Sequence, residues 1–165
     1  QLVKLSKKDF QTPISKPVTI SRRVNKSINL SDIKFTKEGE NTIEAGANAV
    51  EAPFIFKHGD YYYLFVSFDY CCRGEKSTYK TVYGRSKNIE GPYLDKAGKP
   101  MEHGGGTFLY GPNKEYFGVG HNSAYHFDGK PYFVSHAYVK AEEGRAKLFI
   151  RPMEFDSEGW IVVKE

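Results

Sequence analysis

The stretch Lys57-His58-Gly59-Asp60-Tyr61-Tyr62-Tyr63-Leu64-Phe65-Val66-Ser67-Phe68 returns, altered but legible, as Phe127-Asp128-Gly129-Lys130-Pro131-Tyr132-Phe133-Val134. Each version sets a polar turn with glycine before an aromatic and β-branched run, which is how a hairpin turn and its returning strand are written. An offset of 70 superposes the turns, Lys57-His58-Gly59-Asp60 on Phe127-Asp128-Gly129-Lys130. An offset of 68 places Gly91-Pro92-Tyr93-Leu94 on Gly159-Trp160-Ile161-Val162. One unit therefore occurs twice. Each copy holds four strand-like runs: 50–56, 61–68, 79–85 and 92–95 in the first, and 119–127, 131–138, 146–154 and 160–164 in the second. Four antiparallel strands repeated at fixed spacing point to blades of a β-propeller, with an eight-stranded sandwich as the alternative.

Working outward, residues 104–165 form the second expected blade and 49–103 the first. Residues 1–48 read as two outer strands of a preceding blade, near Val3–Leu5 and Pro17–Ser21, followed by a polar connector from 22 to 48. Two blades do not close a propeller, so the chain is expected to be one piece of a larger structure, either a fragment or one half of a two-chain protein.

Composition narrows the function classes. The 165 residues include 12 Tyr, 12 Phe, 16 Gly and 8 Pro, which suits short strands and turns. A formal charge of +4, with no dense basic stripe, argues against nucleic-acid binding. No apolar run is long enough for a membrane-spanning helix. The two cysteines are adjacent, Cys71-Cys72, a spacing that suits neither a disulfide framework nor a metal cluster.

The innermost strand of a propeller blade lines the axis. Here those strands open with Val50-Glu51-Ala52-Pro53 and Val119-Gly120-His121-Asn122-Ser123, and the offset of 70 makes Glu51 equivalent to His121. Two ionisable groups aimed at one axial pocket suggest binding or catalysis. Alone, Glu51 reads equally as a surface carboxylate and His121 as a satisfied core histidine. Strand parity brings the loop Asp69-Tyr70-Cys71-Cys72-Arg73-Gly74 to the same end as Glu51, after the strand that returns at Phe68. Arg73 suits a hydroxyl or carboxylate ligand, or a loop cap. Asp69 is expected to brace Arg73 or the loop backbone, and the cysteines to form a small wall. His58, His103, His126 and His136 show no pattern beyond structural roles. Gly104-Gly105-Gly106 lacks the Lys and Ser/Thr of a phosphate loop and reads as a flexible link between blades.

The motifs Glu51-Ala52-Pro53, Tyr61 to Ser67, Cys71-Cys72-Arg73-Gly74, Gly84-Arg85-Ser86-Lys87 and Gly120-His121-Asn122-Ser123, in this order from residue 50 onward, resemble the arabinanases of glycoside hydrolase family 43. The resemblance implies an all-β, five-bladed β-propeller, of which this chain supplies about the last two blades. It implies inverting hydrolysis of α-1,5-linked arabinan, with Glu51 as general acid. His121 would stand beside a metal ion, taken as calcium. Phe68, Asp69, Cys72, Arg73 and Asn122 would contact arabinan or arabino-oligosaccharide. The family's two catalytic aspartates lie in earlier blades, so a partner is expected, the N-terminal part of the same propeller as a second chain. Secretion or a periplasmic location follows from the same likeness. The alternatives are a non-catalytic carbohydrate-binding propeller and a related arabinofuranosidase or xylosidase.

Overall fold

In the computed structural model residues 1–23 and 49–164 are described. They form two four-stranded antiparallel sheets, each in simple sequential order. The first contains β1 (Val50–His58), β2 (Tyr61–Phe68), β3 (Lys80–Ser86) and β4 (Thr107–Tyr110); the second contains β5 (Tyr116–Phe127), β6 (Lys130–Val139), β7 (Arg145–Phe155) and β8 (Ile161–Val163). Both hairpin turns fall where the glycines put them, His58 pairing with Tyr61 and Phe127 with Lys130.

The sheets pack face to face. Phe56, Tyr63, Phe65 and Tyr83 of the first interleave with Val119, Phe133, Phe149, Met153 and Trp160 of the second. Tyr63 and Tyr83 reach across the seam: Tyr63 donates to the Gly159 carbonyl at 2.7 Å, and the Tyr83 hydroxyl accepts from the Ile161 N–H at 2.9 Å. β2 is apolar along nearly its whole length, without alternation, because both its faces are covered. Leu64, Val66 and Phe68 point the other way, into a second cluster with Val82, Tyr93, Met101 and Ile20. Ile20 arrives from a short N-terminal hairpin, in which Leu2 pairs with Val18 and Leu5 with Pro13. Beyond it, the connector residues 24–48 lie outside the described residues.

Two local expectations need correction. The fourth strand of the first sheet is Thr107–Tyr110, paired to Thr81–Tyr83, and not 92–95, where Leu94 makes only isolated bridges. The first sheet therefore runs past residue 103. Nor is Gly104-Gly105-Gly106 a link between blades. It is a packed turn inside the first sheet: Gly104 adopts φ 82°, Gly106 donates its N–H to Asp95 Oδ2 at 3.0 Å, and a Cβ on Gly105 would meet the Lys99 carbonyl. Glycine serves here for close approach rather than for slack.

The far face of the second sheet is uncovered among the described residues. Leu148 is 73% exposed and Tyr125 62%, with Ile150 and Val162 also exposed. Phe149 and Met153 point inward, so strand alternation sets their neighbours Leu148, Ile150 and Pro152 on this outer face.

Candidate active site

β1 and β5 each carry a β-bulge near the start. The β1 register shifts between Glu51 and Phe54, and that of β5 between Gly120 and Ser123. Ala52 (φ 49°) and His121 (φ 54°) take the left-handed backbone there, a strained choice that recurs at functional sites. The bulges align the two copies at an offset of 69. Glu51 thus corresponds to Gly120 and Ala52 to His121, and the equivalence of Glu51 with His121 is corrected by one residue. The bulge also decides what faces Glu51. Counting back from the turn would set Phe68 opposite it, but the extra residue makes Ser67 the partner of Glu51 and leaves Phe68 opposite Val50.

The bulges are tied to each other by one short network. The His121 N–H donates to Ser67 Oγ at 2.8 Å, and Ser67 Oγ donates to Asn122 Oδ1 at 2.9 Å. Asn122 Nδ2 then donates to the Ala52 carbonyl at 3.2 Å. Ser67 and Asn122 are buried, so these bonds are shielded from water and fix the peptide that carries Glu51 against the one that carries His121. Glu51 itself is half-buried and His121 exposed.

Tyr79 and His136 complete the cluster. The Tyr79 ring lies over Gly120, where a Cβ would come within 2.4 Å of it. Its hydroxyl is buried with no aligned hydrogen-bond partner, next to Ser67 and the Glu51 carboxylate. Burial pushes this phenol above its ordinary range, Ser67 opposes it and the adjacent Glu51 carboxylate adds to it, so it remains a protonated donor. Replacing Gly120 by Ala is expected to drive the ring off its seat, destabilising the protein by roughly 1–3 kcal/mol; thermal unfolding checks it, and an unchanged melting temperature would refute the packing argument.

The His136 ring stands 6.3 Å from that of His121 and 5.7 Å from that of Tyr79, centroid to centroid. Its Nε2 is 3.1 Å from the Tyr138 hydroxyl, which accepts the Cys72 N–H at 2.7 Å. Burial lowers the His136 pKa, His121 lowers it further, and the Glu51 carboxylate opposes them. A neutral imidazole can then accept the Tyr138 proton, so one phenol joins His136 to the loop 69–74. His58, stacked on Phe155 at 3.9 Å and 3.4 Å from His126, is likewise lowered by burial and then by His126. The unfolded chain takes up protons at these positions before the folded one does, so stability falls as the pH drops through the ordinary imidazole value of 6.5. The melting temperature is expected to decline between about pH 7.5 and about pH 5.5, less steeply in His58→Phe and His136→Gln. Equal slopes in all three proteins would exclude the assignment.

The remaining predicted residues separate. Asp69, at φ 72°, does not meet Arg73; its carboxylate pairs with Arg23 at 2.9 Å and Lys80 at 2.5 Å, bracing the loop from outside. Arg73 stacks on Tyr70 at 3.7 Å. Phe68 is buried in the second core cluster under the Arg23 guanidinium, 4.3 Å from its ring. Cys72 is exposed beside Tyr138, and Cys71 and Cys72 are joined as a disulfide between adjacent residues, which the sequence spacing did not suggest. Asn122 contacts Glu51's bulge, as a structural tie. Tyr79, Ser67, Tyr138 and His136 were missed. Counting back from the Asp128-Gly129 turn sets His136 opposite His121, or opposite Gly120 once the bulge is allowed, and that count was the available signal.

A calcium ion beside His121 is not supported by the donors present. Calcium takes six to eight oxygens. Among the described residues no group of three or more His, Cys, Asp or Glu side chains converges, and Asn122 Oδ1 is already engaged by Ser67. What the cluster offers is one carboxyl, two imidazoles and a protonated phenol, a set suited to moving a proton at one end of two packed sheets.

The sequence profile of glycosyl hydrolases family 43 matches residues 16–161. An extracellular exo-α-(1→5)-L-arabinofuranosidase of Cellvibrio japonicus is 53% identical over 122 residues, 74% of this chain and 35% of that protein. An extracellular endo-α-(1→5)-L-arabinanase of Bacillus subtilis is 42% identical over 142 residues, 79% of this chain and 43% of that protein. Among solved structures, an exo-1,5-α-L-arabinanase from a bovine ruminal metagenomic library superposes with a TM-score of 0.83 at 50% identity, covering 99% of this chain and 48% of that one. The chain thus spans about a third to a half of the length of these relatives.

Proposed function

The chain belongs to glycosyl hydrolases family 43, and from that premise we propose that it forms part of an enzyme that hydrolyses α-1,5-linked arabinan with inversion, Glu51 serving as the general acid. The observation that carries this reading is the placement of Glu51. It sits in a β-bulge, half-buried, tied through Ser67 and Asn122 to a second bulge, and flanked by the buried phenol of Tyr79. Such a carboxyl is held in place by the backbone while its own oxygens stay available.

In this mechanism Glu51 protonates the glycosidic oxygen as the bond to the sugar breaks. A second carboxylate, on the opposite face of the sugar, removes a proton from the attacking water. The two groups must stand roughly 6.5–9.5 Å apart to admit that water. The second carboxylate, by resemblance an aspartate, belongs to the part of the protein outside this chain. The phenol of Tyr79 is placed to hydrogen-bond Glu51 after its proton has left, and neutral His136 keeps the loop 69–74 against the same end. Arg73, Cys72 and His121 reach solvent there and are the groups proposed to touch the oligosaccharide. The architecture proposed is a five-bladed propeller in which the two sheets are adjacent blades. The extracellular relatives support a secreted protein.

The test is product stereochemistry. The complete protein acting on linear α-1,5-arabinan should release the β anomer first, as followed by proton NMR before mutarotation. Release of the α anomer would overturn the inverting assignment, and failure to cleave any arabinan would overturn the substrate.

A further inference from the structure

A cavity lies at the end of the strands away from the Glu51 cluster. Tyr61 opens β2, whose far end reaches Ser67 and the Glu51 cluster. Around Tyr61 a cavity of about 470 Å³ is lined by Arg85, Lys87, Pro92, Leu94, Lys96 and Trp160, among others. That volume lies in the ordinary range for ligand sites. The Arg85 guanidinium lies over two rings, 3.8 Å from the Trp160 centroid and 4.4 Å from that of Tyr61, one of its nitrogens donates to the Glu158 carbonyl, and the group also donates to the Tyr63 hydroxyl. Its fork is therefore fixed in place, with further N–H groups left over.

The polar balance is one-sided. Asp95 also lines the cavity, but its two oxygens already accept N–H groups of Ala97, Lys99 and Gly106. The neighbouring Asp156 is likewise occupied by the N–H groups of Glu158 and Trp160 and by Lys96. Among the described residues the Lys87 ammonium approaches the Tyr61 ring, at 5.8 Å, and no carboxylate within ion-pair distance. The unspent capacity of the site is thus donor and cationic, set beside Tyr61, Pro92 and Leu94, which supply a ring face and apolar edges. Donors that want a carboxylate, next to a wall that wants the flat face of a ring, describe a sugar acid.

We propose that this cavity binds an acidic oligosaccharide, a chain of uronic-acid rings, at a site separate from the Glu51 cluster. Lys87 and the Arg85 fork receive ring carboxylates, Lys96 contributes positive potential at the rim, and Tyr61 carries the ring face. The proposal does not depend on which bond the Glu51 cluster cleaves.

Calorimetric titration of the complete protein tests it, with a trimer of 1,4-linked galacturonic acid, the neutral galactose trimer of the same linkage, and inorganic sulfate. The acidic trimer should bind, weaken as ionic strength rises, and outcompete both controls by about tenfold or more. Lys87→Glu and the double change Lys87→Glu with Lys96→Glu should each reduce its affinity, the double by about tenfold, while hydrolysis at the other end is unchanged. Tyr61→Ala should weaken the trimer and leave sulfate alone. Equal binding of the neutral trimer, equal binding of sulfate, indifference to charge reversal, or no binding of the acidic trimer would each overturn the proposal.

Discussion

Replacing Glu51 by Gln should reduce arabinan hydrolysis by about 10²–10⁴-fold while leaving oligosaccharide binding nearly intact. The amide is isosteric with the carboxyl and keeps the bulge, whose geometry is held by Ser67, Asn122 and the backbone of Ala52 rather than by the Glu51 side chain. What is lost is the transferable proton. The defect should therefore fall on kcat more than on KM. It should shrink on a substrate whose leaving group needs no protonation, such as a nitrophenyl arabinofuranoside. Activity within twofold of the parent on linear arabinan would remove Glu51 from the mechanism. An unchanged melting temperature in the same variant separates lost chemistry from lost folding.

The second large effect concerns the chain by itself. Residues 1–165 alone are expected to show no arabinan hydrolysis and to associate or aggregate, and the remainder of the protein, added in trans, should restore activity. The chemical reason is that the inverting mechanism proposed above needs two carboxyls, of which this chain is proposed to supply one, Glu51. The physical reason is the outer face of the second sheet, where Tyr125, Leu148, Ile150 and Val162 stand uncovered among the described residues. A contiguous face of that kind marks a missing neighbour. Size-exclusion chromatography and a reducing-sugar assay decide the matter. A monodisperse monomer that cleaves arabinan would overturn the reading.

Much of this was legible in the residues. The repeated turn and aromatic run located both hairpins, because a glycine turn followed by a period of two leaves few other solutions. What the repeat could not supply was the bulges. A bulge inserts one residue without a dependable residue-type signature, and in a period-two structure one residue exchanges the two faces. Phe68 was therefore placed at the site and belongs to the core, while Ser67 was passed over and holds the site together. The fourth strand was misplaced for a related reason: Tyr93 is apolar because it plugs the second cluster, not because it pairs in a ladder. Tyr79 was invisible, since its role depends on the absent side chain of Gly120, a residue of the second sheet.

The phenols of Tyr63 and Tyr83 bear on how such a repeat can change over generations. In a chain of self-sufficient modules, one copy can be duplicated, deleted or exchanged without consulting its neighbour. Here the first copy reaches the main chain of the second at Gly159 and Ile161, two residues apart. Lifting out the second copy would strand both phenols of the first, and lifting out the first would leave the Gly159 carbonyl and the Ile161 N–H without them, at about 1–3 kcal/mol for each group left buried and unsatisfied. The two copies have thus ceased to be interchangeable parts. A recombination boundary between them would break these contacts even if it preserved every strand.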